Sequence, residues 1–218
     1  MLESRFIFLI FVGQFMMKIA ILNYNAGNLS SIRNALVRLG ADSQIISNPS
    51  EVVNFDKLIL PGVGAFGDAM THLNQSGMGE SIVNFAKRGK YILGICLGMQ
   101  LLMDKSYEFG EFSGLGLIKG EVVKFESKTL KIPHIGWNQI HFIRESPLLN
   151  GVQNGAYLYF VHSFYVKNRE SADIVASCDY GINFSAIIQK NNIFGIQPHP
   201  EKSADCGLKI LENFIKLK

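Results

Sequence analysis

From Lys18 onward the apolar residues fall into short continuous runs separated by helix-spaced stretches. Lys18 to Tyr24, Gln44 to Ile46, Lys57 to Leu60 and Tyr91 to Ile95 have the length and composition of strands buried on both faces. Between them, Leu29, Ile32, Ala35, Leu36 and Leu39 recur at helical spacing and stop at Gly40. Phe66 to Leu73 and Ile82 to Lys87 also read as helical, with Gly89 closing the stretch. Asn48-Pro49 marks a turn or a helix start. Strand alternating with helix predicts a mostly parallel central sheet flanked by helices, an α/β architecture. After Lys105 the rhythm changes to β-rich runs: Gly120 to Glu126, Gln139 to Ile143, Leu158 to Phe164, Asp173 to Ser177, Ser185 to Gln189 and Ile193 to Gln197. They are divided by Asn150-Gly151, Asn154-Gly155 and Asn191-Asn192. Some of these should extend the central sheet and others form a small antiparallel layer. A last helix is expected from about Ser203, with Leu208, Leu211, Phe214 and Ile215 on one face.

The 218 residues, 48% hydrophobic and 18% charged, suffice for one sizeable core. Residues 17–218 are expected to form that domain. Residues 1–16 carry a short apolar run, Phe6 to Val12, with no small-x-small cleavage site after it and too little length to span a bilayer. They read as an extension outside the fold. The net charge of +3 is scattered, with no basic stripe, which argues against nucleic acid. Cys96, Cys178 and Cys206 are an odd set without a C-x-x-C pair, so neither a disulfide framework nor a zinc site is indicated. A reducing, cytoplasmic setting without a metal or membrane anchor fits this composition.

Cys96 stands out because Gly94-Ile95-Cys96-Leu97-Gly98 places it where the Tyr91 to Ile95 strand turns into helical spacing. Glycines two residues before and two after a nucleophile permit a sharp, strained turn that exposes its side chain. A helix start also favours the thiolate, the reactive form. A buried structural cysteine would carry the same residue type. A cysteine nucleophile needs a base and the base an orienting partner. His199 and Glu201, in Gln197-Pro198-His199-Pro200-Glu201, follow the Ile193 strand two residues apart; in an extended segment both face one side, with Pro200 keeping the backbone from turning helical. A proline-stiffened loop before a helix is the plainer reading. Pro61-Gly62-Val63-Gly64 follows a third strand, where backbone N–H groups at Gly62, Val63 and Gly64 could meet a developing oxyanion; an ordinary tight turn is the alternative.

Gly94-Ile95-Cys96-Leu97-Gly98-Met99-Gln100 together with His199-Pro200-Glu201 resembles the class I (triad) glutamine amidotransferases. Pro61 to Met70, Pro133 to Asn138, Tyr159 to Ser163 and His199 to Ser203 resemble, more narrowly, the glutaminase subunits of imidazole glycerol phosphate synthase. The resemblance runs from Met17 to the C-terminus. It implies that the fold is flavodoxin-like, that Cys96 attacks L-glutamine, with His199 as general base and then acid and Glu201 orienting it, and that the N–H of Leu97 joins the oxyanion site. It also implies that Gln100, His162, Ser163 and Phe164 bind the substrate, and that no cofactor is needed. The released ammonia would pass to a (β/α)8-barrel cyclase in a heterodimer, with Asn28, Trp137, Tyr159 and Lys202 facing that partner. Trp137 is read as exposed on a Gly-x-Asn loop. Pro198, where the family usually has an aromatic residue, and Asn23 and Asn25 in the first loop depart from the pattern. They leave open a related glutaminase serving another synthase, such as one that amidates a surface sugar, or a subunit that only regulates its partner.

Overall fold

The computed structural model describes residues 17–24, 27–127 and 129–218. The expectation for residues 1–16, and that for Asn25, lie outside the described residues.

The first half is built as the periodicity predicts. β1 (Ile19–Leu22), β2 (Ser43–Ile46), β3 (Lys57–Leu60) and β4 (Tyr91–Ile95) alternate with α1 (Leu29–Arg38), α2 (Phe66–Gln75) and α3 (Met78–Lys87). All residues of β1 and β3 are buried, since helices cover the sheet on both sides. Asn48 caps a single 3-10 turn at Pro49–Asn54, its side chain accepting from the Ser50 N–H at 3.0 Å. After β4 comes α4, which is only five residues long (Leu97–Leu101). Helical spacing continues past Leu101, but the chain turns away into the short strands β5 (Lys105–Ser106) and β6 (Phe112–Ser113).

The second half supplies β7 (Gly120–Lys124), β8 (His134–Gln139), β9 (His141–Phe142), β10 (Tyr157–His162), β11 (Phe164–Asn168), β12 (Ile174–Asp179), β13 (Asn183–Lys190) and β14 (Ile193–Ile196), then α5 (Ala204–Lys216). The main sheet has the order β2-β1-β3-β4-β14-β13-β12-β9. It is parallel from β2 through β14 and antiparallel beyond, where Asn191 (φ 52°) and Asn192 turn β13 back into β14. The expected antiparallel layer is in fact two pieces, the antiparallel ribbon β10-β8 and a mixed sheet β11-β7-β5-β6 in which β5 and β7 run parallel.

Three readings of this half need correction, the first being Gln139 to Ile143, which divides at Ile140 between β8 in the ribbon and β9 on the main sheet. The run Leu158 to Phe164 is broken at Ser163: β10 pairs with β8, whereas β11 pairs with β7 in another sheet. A β-rich run can continue through polar residues such as His162 and Ser163, so strand propensity does not mark the switch. Trp137 lies within strand β8, directly opposite Tyr159, and not on a loop, because its neighbours Gly136 and Asn138 pair across the ribbon with Phe160 and Leu158.

The ribbon is two-faced. Leu158, Phe160 and His162 are buried together with His134, while Ile135, Trp137 and Tyr157 are exposed on the other side.

Candidate active site

Strand order alone places the chemistry. β3, β4 and β14 are neighbours and parallel, so their carboxyl ends open on one edge. From those ends run Pro61 to Gly64, Cys96 and Gln197 to His199 respectively. The N–H of Cys96 donates to the Ile196 carbonyl at 2.8 Å, extending the β4–β14 ladder up to the nucleophile.

Cys96 has φ 53° and ψ −110°, a conformation few side chains adopt. The flanking glycines make it possible by close approach. A Cβ at Gly94 would lie 2.5 Å from the Gly98 carbonyl oxygen, and one at Gly98 would collide with the Leu60 carbonyl. Gly62 packs against Leu97 and Gly98. The oxyanion turn and the nucleophile's turn therefore touch, and Val63 and Gly64 line a cavity of about 300 Å³ together with Cys96 and Leu97.

The same cavity is lined by Gln100, His162, Ser163 and Phe164, each expected at the substrate. Gln100 Nε2 is already committed, donating to the Phe164 carbonyl at 3.1 Å and to Gln197 Oε1 at 3.2 Å. Its oxygen is what it can offer a ligand. His162 Nδ1 lies 2.8 Å from the Phe164 carbonyl and must carry the proton there. Its Nε2 then accepts from His134 Nδ1 at 3.1 Å, and His134 Nε2 accepts from Asn138 at 3.3 Å. Burial holds both rings neutral, pushing His134 down to about 4 and His162 to about 3.

His199 is buried, with its N–H donating to the Tyr159 carbonyl at 2.9 Å and its carbonyl accepting from Ser203 Oγ at 2.6 Å. Pro198 leaves this anchorage in place. His199 Nδ1 donates to Glu201 Oε1 at 2.8 Å, which leaves Nε2, buried and with no hydrogen-bond partner among the described residues, as the working nitrogen. Burial disfavours its imidazolium, but Cys96 and Glu201 more than offset that and raise His199 to about 10. The pairing is reached differently from the extended segment expected. Pro200–Lys202 is a 3-10 turn with His199 as its N-cap. Proline's fixed φ suits the first position of a helical turn, so Pro200 starts one instead of preventing it.

The chain belongs to the class I glutamine amidotransferase family. The family model described as glutamine amidotransferase class-I matches residues 20–217. Imidazole glycerol phosphate synthase subunit HisH of Wolinella succinogenes is 53% identical over 91% of this chain and 99% of its own length. The protein of the same name from Sulfurimonas denitrificans is also 53% identical, over 92% and 98%. Among solved structures, that of PurLQS from Thermotoga maritima superposes with a TM-score of 0.75 at 21% identity, over 92% of this chain and 98% of that one, a likeness of fold.

Three further residues of this class I amidotransferase site escaped the sequence reading. Gln197, fully buried, donates through Nε2 to Cys96 Sγ at 3.5 Å. Glu108 lines the cavity and is held by the Phe66 N–H at 2.7 Å. Tyr24 is buried with its hydroxyl on the Pro61 carbonyl; burial, then Cys96, raises it above the ordinary tyrosine range. A buried glutamine beside the proline and histidine was a readable signal. Glu108 and Tyr24 had none. Of the residues expected at a partner surface, Trp137 and Lys202 are exposed and Tyr159 is half-buried against Trp137, ring centroids 6.2 Å apart. Asn28 is half-buried, with its side chain turned to Glu201.

Proposed function

We propose that this chain is the glutaminase subunit of an imidazole glycerol phosphate synthase in histidine biosynthesis, hydrolysing L-glutamine to glutamate and ammonia in the cytoplasm. The observation that carries it is the meeting of Cys96 and the Glu201-held His199 at the ends of two adjacent parallel strands, beside a cavity sized for a small ligand. Glutamine would enter with its α-ammonium toward Glu108, which is the acidic lining residue.

Cys96 and Glu201 favour the protonated form of His199. The Cys96 thiolate adds to the substrate's amide carbon, and backbone N–H groups of the Gly62-Val63-Gly64 turn and of Leu97 receive the oxyanion; one such donor is typically worth about 3 kcal/mol. His199 Nε2–H then protonates the departing nitrogen, ammonia leaves, and a γ-glutamyl thioester remains. Nε2, now free, takes a proton from water, whose oxygen attacks the thioester; glutamate departs and the thiolate is restored. His199 thus acts first as acid and then as base.

Ammonia reaching bulk water would be protonated and lost as a nucleophile, so the acceptor site has to be sealed onto this one. The exposed apolar side of the β8–β10 ribbon, with Trp137 and Tyr159, supplies a surface for a (β/α)8-barrel cyclase in a heterodimer. Among the described residues no helix is long and apolar enough to cross a membrane.

Glutamate release should be measured on the chain alone, then with a histidine-pathway cyclase and its ribonucleotide ligand. Low basal turnover with a large rise in the full mixture is expected. No rise, from a Cys96 that still alkylates rapidly, would assign the ammonia to another synthase. No rise with an inert thiol would point to a regulatory subunit.

A further inference from the structure

Asn28 stands at the N-cap of α1 with φ 70° and ψ 14°. Asparagine at an N-cap ordinarily turns its side-chain oxygen onto the first free N–H groups of its helix. Asn28 makes no such bond. Its Nδ2 donates instead to Glu201 Oε1 at 2.6 Å, across 173 positions of sequence.

The same oxygen accepts from His199 Nδ1 at 2.8 Å, and the Glu201 side chain has no exposed surface. Oε2 of Glu201 is buried with no hydrogen-bond partner among the described residues. One histidine bond alone would leave the carboxylate free to rotate about its last torsion, which is a soft one. Two donors arriving on Oε1 from α1 and from the His199 turn fix which oxygen faces the imidazole. On its other side Glu201 borders a hollow of about 330 Å³, where α1 presents Ser31, Asn34 and Arg38 and α5 presents Ala204 and Leu208. Among the described residues that line it, Arg38 is the charged one besides Glu201. Asparagine is also one of the few residues besides glycine that tolerate positive φ, so position 28 combines a left-handed backbone with a short side-chain donor.

We propose that Asn28 is a positioning residue of the triad: its amide locks Glu201, and through Glu201 it aims His199 Nε2 at the Cys96 sulfur. The proposal rests on the glutaminase reading for its reaction but concerns geometry that a thiol probe reads independently.

Two variants test it. Asn28→Gly keeps the left-handed backbone and deletes the donor. Asn28→Asp keeps the shape and places a second carboxyl against Glu201. Melting by circular dichroism checks the fold, and two readouts follow: kcat and KM for glutamine with the cyclase and ligand bound, and the pH profile of Cys96 alkylation by iodoacetamide on the chain alone. General acid–base catalysis contributes about 10²–10⁴-fold, so losing its aim should lower kcat in Asn28→Gly by about 10- to 100-fold, with KM within about threefold. The alkylation profile should move to higher pH, because a loosely held imidazolium stabilises the thiolate less. Asn28→Asp should be as impaired at neutral pH and recover relative to the parent as pH falls, when the facing carboxyls share a proton that can be donated to Glu201. A folded Asn28→Gly with the parent's kcat and alkylation profile would overturn the proposal, as would a loss confined to KM. If Asn28→Gly fails to fold, Asn28→Asp decides: recovery at low pH supports the proposal and a pH-independent loss overturns it. A parent chain that releases no glutamate, with alkylation still displaced in the variants, would refute the glutaminase reading and leave the role of Asn28 standing.

Discussion

At Cys96 the backbone and the chemistry make opposing demands. Its φ of 53° exposes the sulfur to the cavity, and holding a non-glycine residue there costs on the order of 1–3 kcal/mol. Cys96→Ala should therefore abolish glutaminase activity while keeping the strain, whereas Cys96→Gly should abolish it and relax the turn. The glycine variant is expected to unfold in urea with a stability about 1 kcal/mol above the alanine variant; equal stabilities would mean that the turn is not strained. The histidines make a second prediction, on pH. His134 and His162 titrate below their unfolded value of 6.5, so the unfolded chain binds more protons as the solution is acidified. Stability should fall as pH drops from 6.5 toward 4. His199 has the opposite sign, since its raised pKa gives stability that is full below 6.5 and is lost as pH rises through about 10. Urea midpoints from pH 4 to 10 should trace a dome. Replacing His134 by a neutral residue of similar size should flatten its acid side and leave the alkaline side alone.

The elements show where sequence sufficed and where it did not. Lys57 to Leu60 and Tyr91 to Ile95 were legible to the residue because strands buried on both faces are continuous apolar runs bounded by turn residues. The Cys96 corner was legible from its glycines, since a Cβ at Gly98 has nowhere to go except into the Leu60 carbonyl. Gly98→Ala should accordingly cost about 3 kcal/mol of stability and most of the activity, read by melting and by glutamate release; a variant with parental turnover would show that the β3–α4 contact yields. What stayed hidden was non-local. Ser163 divides one apolar run between two sheets, Asn28 and Glu201 meet across 173 positions, and Gln197 reaches Cys96 across 101. Periodicity reports which face of an element is buried, and is silent on what the opposite element places there.

For the molecule as a whole, the ribbon β8–β10 links the catalytic edge to the outside. His134 and His162 belong to its inner side and Ile135, Trp137 and Tyr157 to its outer one. A half-exposed tryptophan edge-on to Tyr159 has the make-up of an interface anchor. Trp137→Ala should weaken cyclase binding by about 1.4–2.8 kcal/mol, a 10- to 100-fold rise in Kd by titration calorimetry; an unchanged Kd would move the partner to another face. The ribbon also bears on how the cell must handle this chain. A newly made copy that finds no partner carries an adhesive stripe of aromatic and aliphatic side chains, the kind of surface that chaperones bind and proteases survey. If the proposed docking holds, its abundance would be tied to the partner's supply, and a surplus of unpaired glutaminase, which would waste glutamine, would be marked for removal by the side chains proposed to dock it.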